Sequence, residues 1–341
     1  MGQPRPCRLV AAATPGQRRL MRWPLLTQFP HLASLAPVAL CDLPTPVEPL
    51  PGQSPLSWVK RDDISAHPYG GNKLRKLEWV LGEIRQRSIK NVVTLGATGT
   101  NAGLATALLC QQEQLNCDIF TFPQPDSPVV QHNRQRMQQA GAQLHDRNSL
   151  LRAALGWYLH PGRLRRDHYF LYAGCSNPVA TLGYANAMLE LKQQINDSFC
   201  PAPADIVVAA GSGATVAGLL VGNQLSGLNA RIHAVQVAQD HLGPFSVCNA
   251  RLVIRMARQC WQQLELPWEQ FDTGFLQWHD DYLGTGYGHP TAASTQAVNA
   301  AARSGLRLEN TYTGKAFAAF LDLEKTAAQP CLFWNTFNSH P

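Results

Sequence analysis

From Asn91 onward, short apolar or β-branched runs alternate with longer stretches of helical spacing. The runs at 91–95 (NVVTL), 118–122 (DIFTF), 168–173 (HYFLYA), 205–210 (DIVVAA) and 232–237 (IHAVQV) read as strands. Between and after them, the spacing predicts helices over 101–113, 129–140, 178–194, 215–225, 244–264, 290–303 and 315–328, several opening at proline or just after glycine. Strands alternating with helices predict an α/β fold of parallel sheets covered by helices. Two βα groups, about 76–174 and 175–341, predict two lobes with a cleft between them, a common place for a ligand.

The first 53 residues break this pattern, being Pro-rich and poorly periodic, and 43–51 (LPTPVEPLP) reads as an extended, surface-hugging lead-in rather than a strand or helix. Residues 1–42 read as an N-terminal extension poorly ordered at its start; an organellar transit peptide is the alternative. Five arginines (5, 8, 18, 19 and 22) precede the first acidic residue, Asp42, and supply much of the formal charge of +6. The excess is not organised as a stripe interleaved with aromatics, so an anionic cofactor or substrate is expected rather than nucleic acid. Nine scattered cysteines without a C-x-x-C pair predict neither a disulfide framework nor a zinc or other metal site, and a reducing compartment. With no apolar run of ~18 residues and no clear signal peptide, no membrane partner and a cytoplasmic location are expected.

Four segments could carry chemistry. In 59–81 (VKRDDISAHPYGGNKLRKLEWVL), Lys73 follows Gly70, Gly71 and Asn72 at the start of an apparent helix. The macrodipole there, with Arg75 and Lys76 nearby, would favour a neutral amine, though a lysine in such a turn is commonly a solvated cation. In 205–222 (DIVVAAGSGATVAGLLVG), a strand runs into Gly211, Ser212, Gly213, Ala214 and Thr215 and then a helix, a form that cradles phosphate. A dinucleotide site is the rival, because Asp240 lies beyond the next strand. In 92–109 (VVTLGATGTNAGLATALL), Thr98, Thr100 and Asn101 sit at a turn that suits a carboxylate or a ring hydroxyl, or that simply caps the next helix. Tyr287 and Tyr312 each lie beside glycines ahead of a helix, as core residues or as proton carriers.

Together, KRDD, GGNKLRKLE, AGCSNPVATLGYANAMLEL, GSGATVAGL, GYGHP and YTGKA, in this order, resemble the D-cysteine desulfhydrase/1-aminocyclopropane-1-carboxylate (ACC) deaminase family. That family comprises pyridoxal 5'-phosphate (PLP) enzymes of fold type II, the tryptophan synthase β-like fold. The resemblance runs from Leu43 to about Asn335. It implies Lys73 as the Schiff-base lysine, with Asn72 beside it, Asn101 as partner of the ring hydroxyl, and 211–215 as the phosphate cradle. It also implies Tyr287 and Tyr312 as paired active-site tyrosines, Thr100 as a carboxylate contact and Thr313 at the pyridine nitrogen. It implies a small amino-acid substrate, a homodimer, and lobes of 43–75 with 175–341 (larger) and 76–174 (smaller).

Thr313 stands where ACC deaminases have a glutamate. A neutral hydroxyl holds the ring proton less firmly, which favours β-elimination over ring opening. The expected activity is therefore a lyase forming keto acid and ammonia, with ACC deaminase or a PLP-binding protein without this activity as alternatives. Thr100-Asn101-Ala102 replaces the family's Ser-Asn-His, and its extra methyl is expected to crowd the pocket. The C-terminal stretch lacks the family's Thr-Gly-Gly turn, leaving Thr336 and Asn338 as candidates near the ring.

Overall fold

The computed structural model describes residues 22–242 and 245–340. Short helix α1 (Pro24–Gln28) and a 3-10 turn lead into antiparallel strands β1 (Val47–Pro49) and β2 (Ser57–Arg61). Helix α2 (Asn72–Gln86) follows, and then β3 (Asn91–Ala97), α3 (Asn101–Gln112), β4 (Asn116–Phe122), α4 (Pro128–Gln139), β5 (Gln143–Asp146), α5 (Leu150–Tyr158) and β6 (His168–Phe170). These four strands form a parallel sheet in the order β5-β4-β3-β6.

Helix α6 (Pro178–Asn196) leads to β7 (Asp205–Ala210), α7 (Ala214–Ser226), β8 (Arg231–Gln236), a two-residue ribbon β9 (His241–Leu242) and β10 (Phe245–Ser246), and α8 (Ala250–Gln263). Strand β11 (Leu276–His279), α9 (Ala292–Arg303), α10 (Thr313–Glu324) and β12 (Cys331–Asn335) complete the order. The larger sheet runs β1-β2-β12-β7-β8-β11, parallel apart from β1.

The α/β prediction with parallel sheets holds, because central strands carry apolar side chains to both faces. Ile206, Val208, Leu332 and Trp334 enter one core, while Val207, Val235 and Phe333 enter another. Val92 and Ile119 face one side of the small sheet, Val93 and Phe120 the other. Helix α2 belongs to both halves: Trp79 joins the large-sheet core, and Leu77, Val80, Leu81 and Ile84 join the small-sheet core.

The structure corrects the sequence reading in four places. Residues 22–42 do not form a loose extension, since Trp23, Leu25, Leu26 and Leu32 are buried in the largest core; residues 1–21 lie outside the described residues. The lead-in contains strand β1, paired by register to β2, and Thr45 within it is fully buried. Helix α8 opens at Ala250, capped by Asn249 Oδ1 on the Leu252 amide, while Pro244 lies outside the described residues. Helix α5 and strands β2, β5, β11 and β12 escaped notice; β12 is a five-residue run, CLFWN, that directly follows Pro330. Among the described residues, no helix is long and apolar enough to cross a membrane.

Candidate active site

A cavity of about 150 Å³ lies where the C-terminal ends of β3, β7, β8 and β12 meet the start of α2. Ligands in open α/β sheets bind at such carboxyl ends. Of the residues named from sequence, Lys73, Thr100, Tyr287, Tyr312, Asn72, Asn101, Gly211, Ser212, Gly213, Thr215 and Thr313 all line it. Ala214 does not: its side chain is fully buried behind the loop, and only its backbone can serve a ligand there.

Lys73 is the second residue of α2, and its Nζ donates to Asn72 Oδ1. Desolvation pulls its pKa down from the lysine range, against the opposing pull of the Cys175 thiol and the Glu309 carboxylate. The expected helper Arg75 is turned away. It forms a bidentate pair with Asp62 (2.9 and 2.8 Å) and a second with Glu190 (3.0 and 2.9 Å) beneath the site. Lys76 shares the cavity wall, one turn on from Lys73, and donates to Gly174 O at 3.1 Å. Burial and the charge of Lys73 bring it down to about 7.

The glycine loop joins β7 to α7 with Gly213 at φ +85°, a conformation that side chains rarely adopt. A Cβ on Gly211 would press on the Tyr312 ring at 3.1 Å, so the backbone is bare where it meets the cavity. Ser212 Oγ accepts from Ser176 Oγ at 2.8 Å, and Thr215 Oγ1 accepts from Asn72 Nδ2 at 3.1 Å, tying the loop to the lysine turn. With two amines and bare amides facing one space, this corner suits a phosphate.

On the opposite wall, Thr100 Oγ1 accepts from the Gly103 amide at 3.2 Å, so it caps α3 as well as lining the cavity. Its methyl fits where Gly103 lacks a Cβ: a Cβ there would lie 2.4 Å from it. The crowding expected of that methyl is relieved by Gly103. Asn101 Oδ1 accepts from Asn133 Nδ2 at 2.9 Å, which leaves the Asn101 NH₂ as the group to offer a ligand oxygen. Thr98 instead donates to Phe122 O at 3.0 Å.

The hydroxyls of Tyr287 and Tyr312 hydrogen-bond, with the rings edge to face at 5.7 Å. Burial pushes Tyr287 up to about 12 and Tyr312 well above the phenol range, so both stay neutral. Lys315 Nζ donates to Leu283 O (2.7 Å) and Gly286 O (3.1 Å), fixing the turn that carries Tyr287 to the helix whose N-terminus carries Tyr312. Thr336 and Asn338 also line the cavity; Asn338 Oδ1 accepts from the Gly70 amide at 2.8 Å, bracing the lysine turn. Asp240, on which a dinucleotide reading depends, is absent from the lining and pairs with His241 at 3.0 Å.

Sequence reasoning missed Lys76 as a wall residue, although its i+3 spacing from Lys73 signals a shared face. It missed Asn133 and Lys315, whose contacts are long-range, and Glu309, a carboxylate among the lining residues.

The chain as a whole is similar to known proteins. A D-cysteine desulfhydrase of Klebsiella pneumoniae is 30% identical over 310 residues, covering 87% of this chain and 89% of the relative. A nocardicin C-9' epimerase of Nocardia uniformis is 30% identical over 318 residues, covering 89% of this chain and 93% of the relative. The crystal structure of an ACC deaminase homologue superimposes with TM-score 0.76 at 25% identity, covering 91% of this chain and 95% of the other. The family model for pyridoxal-phosphate dependent enzymes matches residues 38–331, and the chain belongs to that family.

Proposed function

We propose that this chain is a PLP-dependent lyase of the D-cysteine desulfhydrase type, removing ammonia and a β leaving group from a small amino acid. The observation that carries the reading is one cavity holding both a base and an acid. Lys73 is drawn toward its neutral amine, and it faces the same space as the hydrogen-bonded, neutral pair Tyr287–Tyr312.

The residues fit the cofactor. Lys73 would bond it, the 211–215 amides with Lys76 would hold its phosphate, the Asn101 NH₂ would serve its ring hydroxyl, and Thr313 its ring nitrogen. When bound, PLP supplies an electron sink for negative charge at the substrate α-carbon. The protein does the rest. Lys73 takes the α-proton at Nζ, Thr100 orients the substrate carboxylate, and a tyrosine hydroxyl gives a proton to the leaving group. We further read 43–75 with 175–341 as the larger lobe and 76–174 as the smaller, supported by the segments that build the two sheets. A homodimer in a reducing, cytoplasmic setting completes the reading; the eight cysteines among the described residues, all free and buried, support the setting.

The test offers PLP-loaded protein D-cysteine, L-cysteine, β-chloro-D-alanine and ACC, with keto acid and ammonia measured. Release from D-cysteine or chloroalanine alone supports the lyase. ACC turnover makes the chain an ACC deaminase, and lysine-bound PLP with no turnover makes it a binding protein without this chemistry.

A further inference from the structure

Thr313 is not an isolated neutral hydroxyl. It is the first residue of α10 and is 1% exposed. Its Oγ1 accepts from the Glu309 backbone N–H at 3.1 Å and faces Glu309 Oε1 at 3.3 Å. The same carboxylate accepts from the backbone N–H groups of Thr311 (2.7 Å), Tyr312 (2.8 Å) and Thr313 (3.0 Å), taking the role that the N-cap side chain leaves unfilled. Glu309 is thus held in place by its own turn. Among the described residues, it is also the carboxylate on a cavity wall whose other charged members are Lys73 and Lys76.

We propose that Glu309 is a positioning residue that keeps the cofactor ring nitrogen protonated, acting through the Thr313 hydroxyl. This rests on the PLP reading above. One lone pair of Oγ1 is taken by the Glu309 amide, and the carboxylate draws the hydroxyl proton toward itself. What remains toward the cavity is a lone pair, which can accept a hydrogen bond from a protonated nitrogen but cannot donate to a bare one. The ring nitrogen takes its proton from solvent, and no proton moves to Glu309. The chain therefore reaches through two groups what a glutamate at position 313 reaches directly, and ring protonation does not separate β-elimination from ring opening here.

The test loads the protein with ring-¹⁵N-labelled PLP and reads the nitrogen resonance together with the visible absorption band. The native protein is expected to show a protonated ring nitrogen. Glu309→Gln, which keeps a hydrogen-bond acceptor for the helix amides, is expected to lose that signal. Thr313→Val is expected to lose it while leaving the Glu309 cap intact, the double variant to lose no more than either, and Thr313→Glu in the Glu309→Gln background to restore it. Two results overturn the relay: an unprotonated nitrogen in the native protein, or a protonated one that survives in either single variant. Failure of the native chain to bind PLP on Lys73 would instead sink the underlying reading, and it is seen separately as the absence of the bound absorption band.

Discussion

Two groups of buried charge lie back to back on α2, and they are built on opposite principles. Beneath the site, Lys60 and Arg75 face Asp62 and Glu190, two cations against two carboxylates, with Thr45, Gln194, Tyr184 and Trp334 filling the remaining hydrogen-bonding positions. Glu190 is accordingly held down at about 2 despite its burial, chiefly by Arg75 and Lys60. In the cavity, Lys73 and Lys76 share one carboxylate, Glu309, that is already occupied by backbone amides. Opposed charges brace one another and the fold, whereas two amines in one buried space are drawn toward their neutral forms and suit an anion.

The sharpest way to break the contrast is at Lys73. Lys73→Ala is expected to abolish covalent PLP attachment and lower keto-acid release by on the order of 10³-fold or more, as loss of a positioned base does. Its absorbance spectrum and turnover check this, and its folding should be little changed. The reverse outcome is expected in the balanced set. Asp62→Ala leaves two buried cations facing Glu190 alone and takes the acceptor from the Tyr184 hydroxyl and the Trp334 indole N–H, and should lower unfolding free energy by roughly 3–5 kcal/mol, read by urea denaturation.

Proton linkage sharpens the contrast further. Lys76 titrates near 7 in the folded chain against 10.5 unfolded, so the unfolded chain binds the extra proton between those values. Apo-protein stability should rise with pH from about 7 to about 10, with the full penalty present below 7, and added PLP or inorganic phosphate should flatten that slope. Glu190 gives a slope of the same sign in a lower window, as a gain rather than a relieved penalty: its stabilisation is present above about 4.5 and lost as pH falls toward 2. Denaturation midpoints across pH, with and without phosphate, read both slopes. The smallest effect is expected for Thr100→Ser, which removes the methyl lodged over Gly103: about 0.5–1.5 kcal/mol in stability, with turnover retained. A large gain in turnover would show that the methyl obstructs the substrate after all.

The balanced set was hidden in the sequence and the cavity largely was not. Glycine-rich turns between a strand and a helix advertise themselves locally, so Lys73, Asn101 and the 211–215 loop could be found from spacing and resemblance. The KRDD motif could be seen but not understood, because Lys60 and Asp62 act on Glu190 and Arg75, and Glu190 lies 130 residues beyond Lys60. Glu309 carries no signal in the sequence, since only folding brings its carboxylate against its own turn and the cavity. Burial of 22–42 escaped because a Pro-rich segment with few periodic apolar residues gives no sign of the core that Trp23 and Leu25 enter.

The place of β12 bears on how the chain is made. It lies between β2 and β7, so the middle of the larger sheet is supplied by residues 331–335. On the ribosome, the 91–170 sheet has all its strands long before then, whereas β2 and β7 must wait with their facing edges unpaired. Thr336 and Asn338 follow directly and finish the wall around the lysine turn. A nascent chain can thus hold every strand of the small sheet and still lack the part of the cavity wall that residues 331–338 supply.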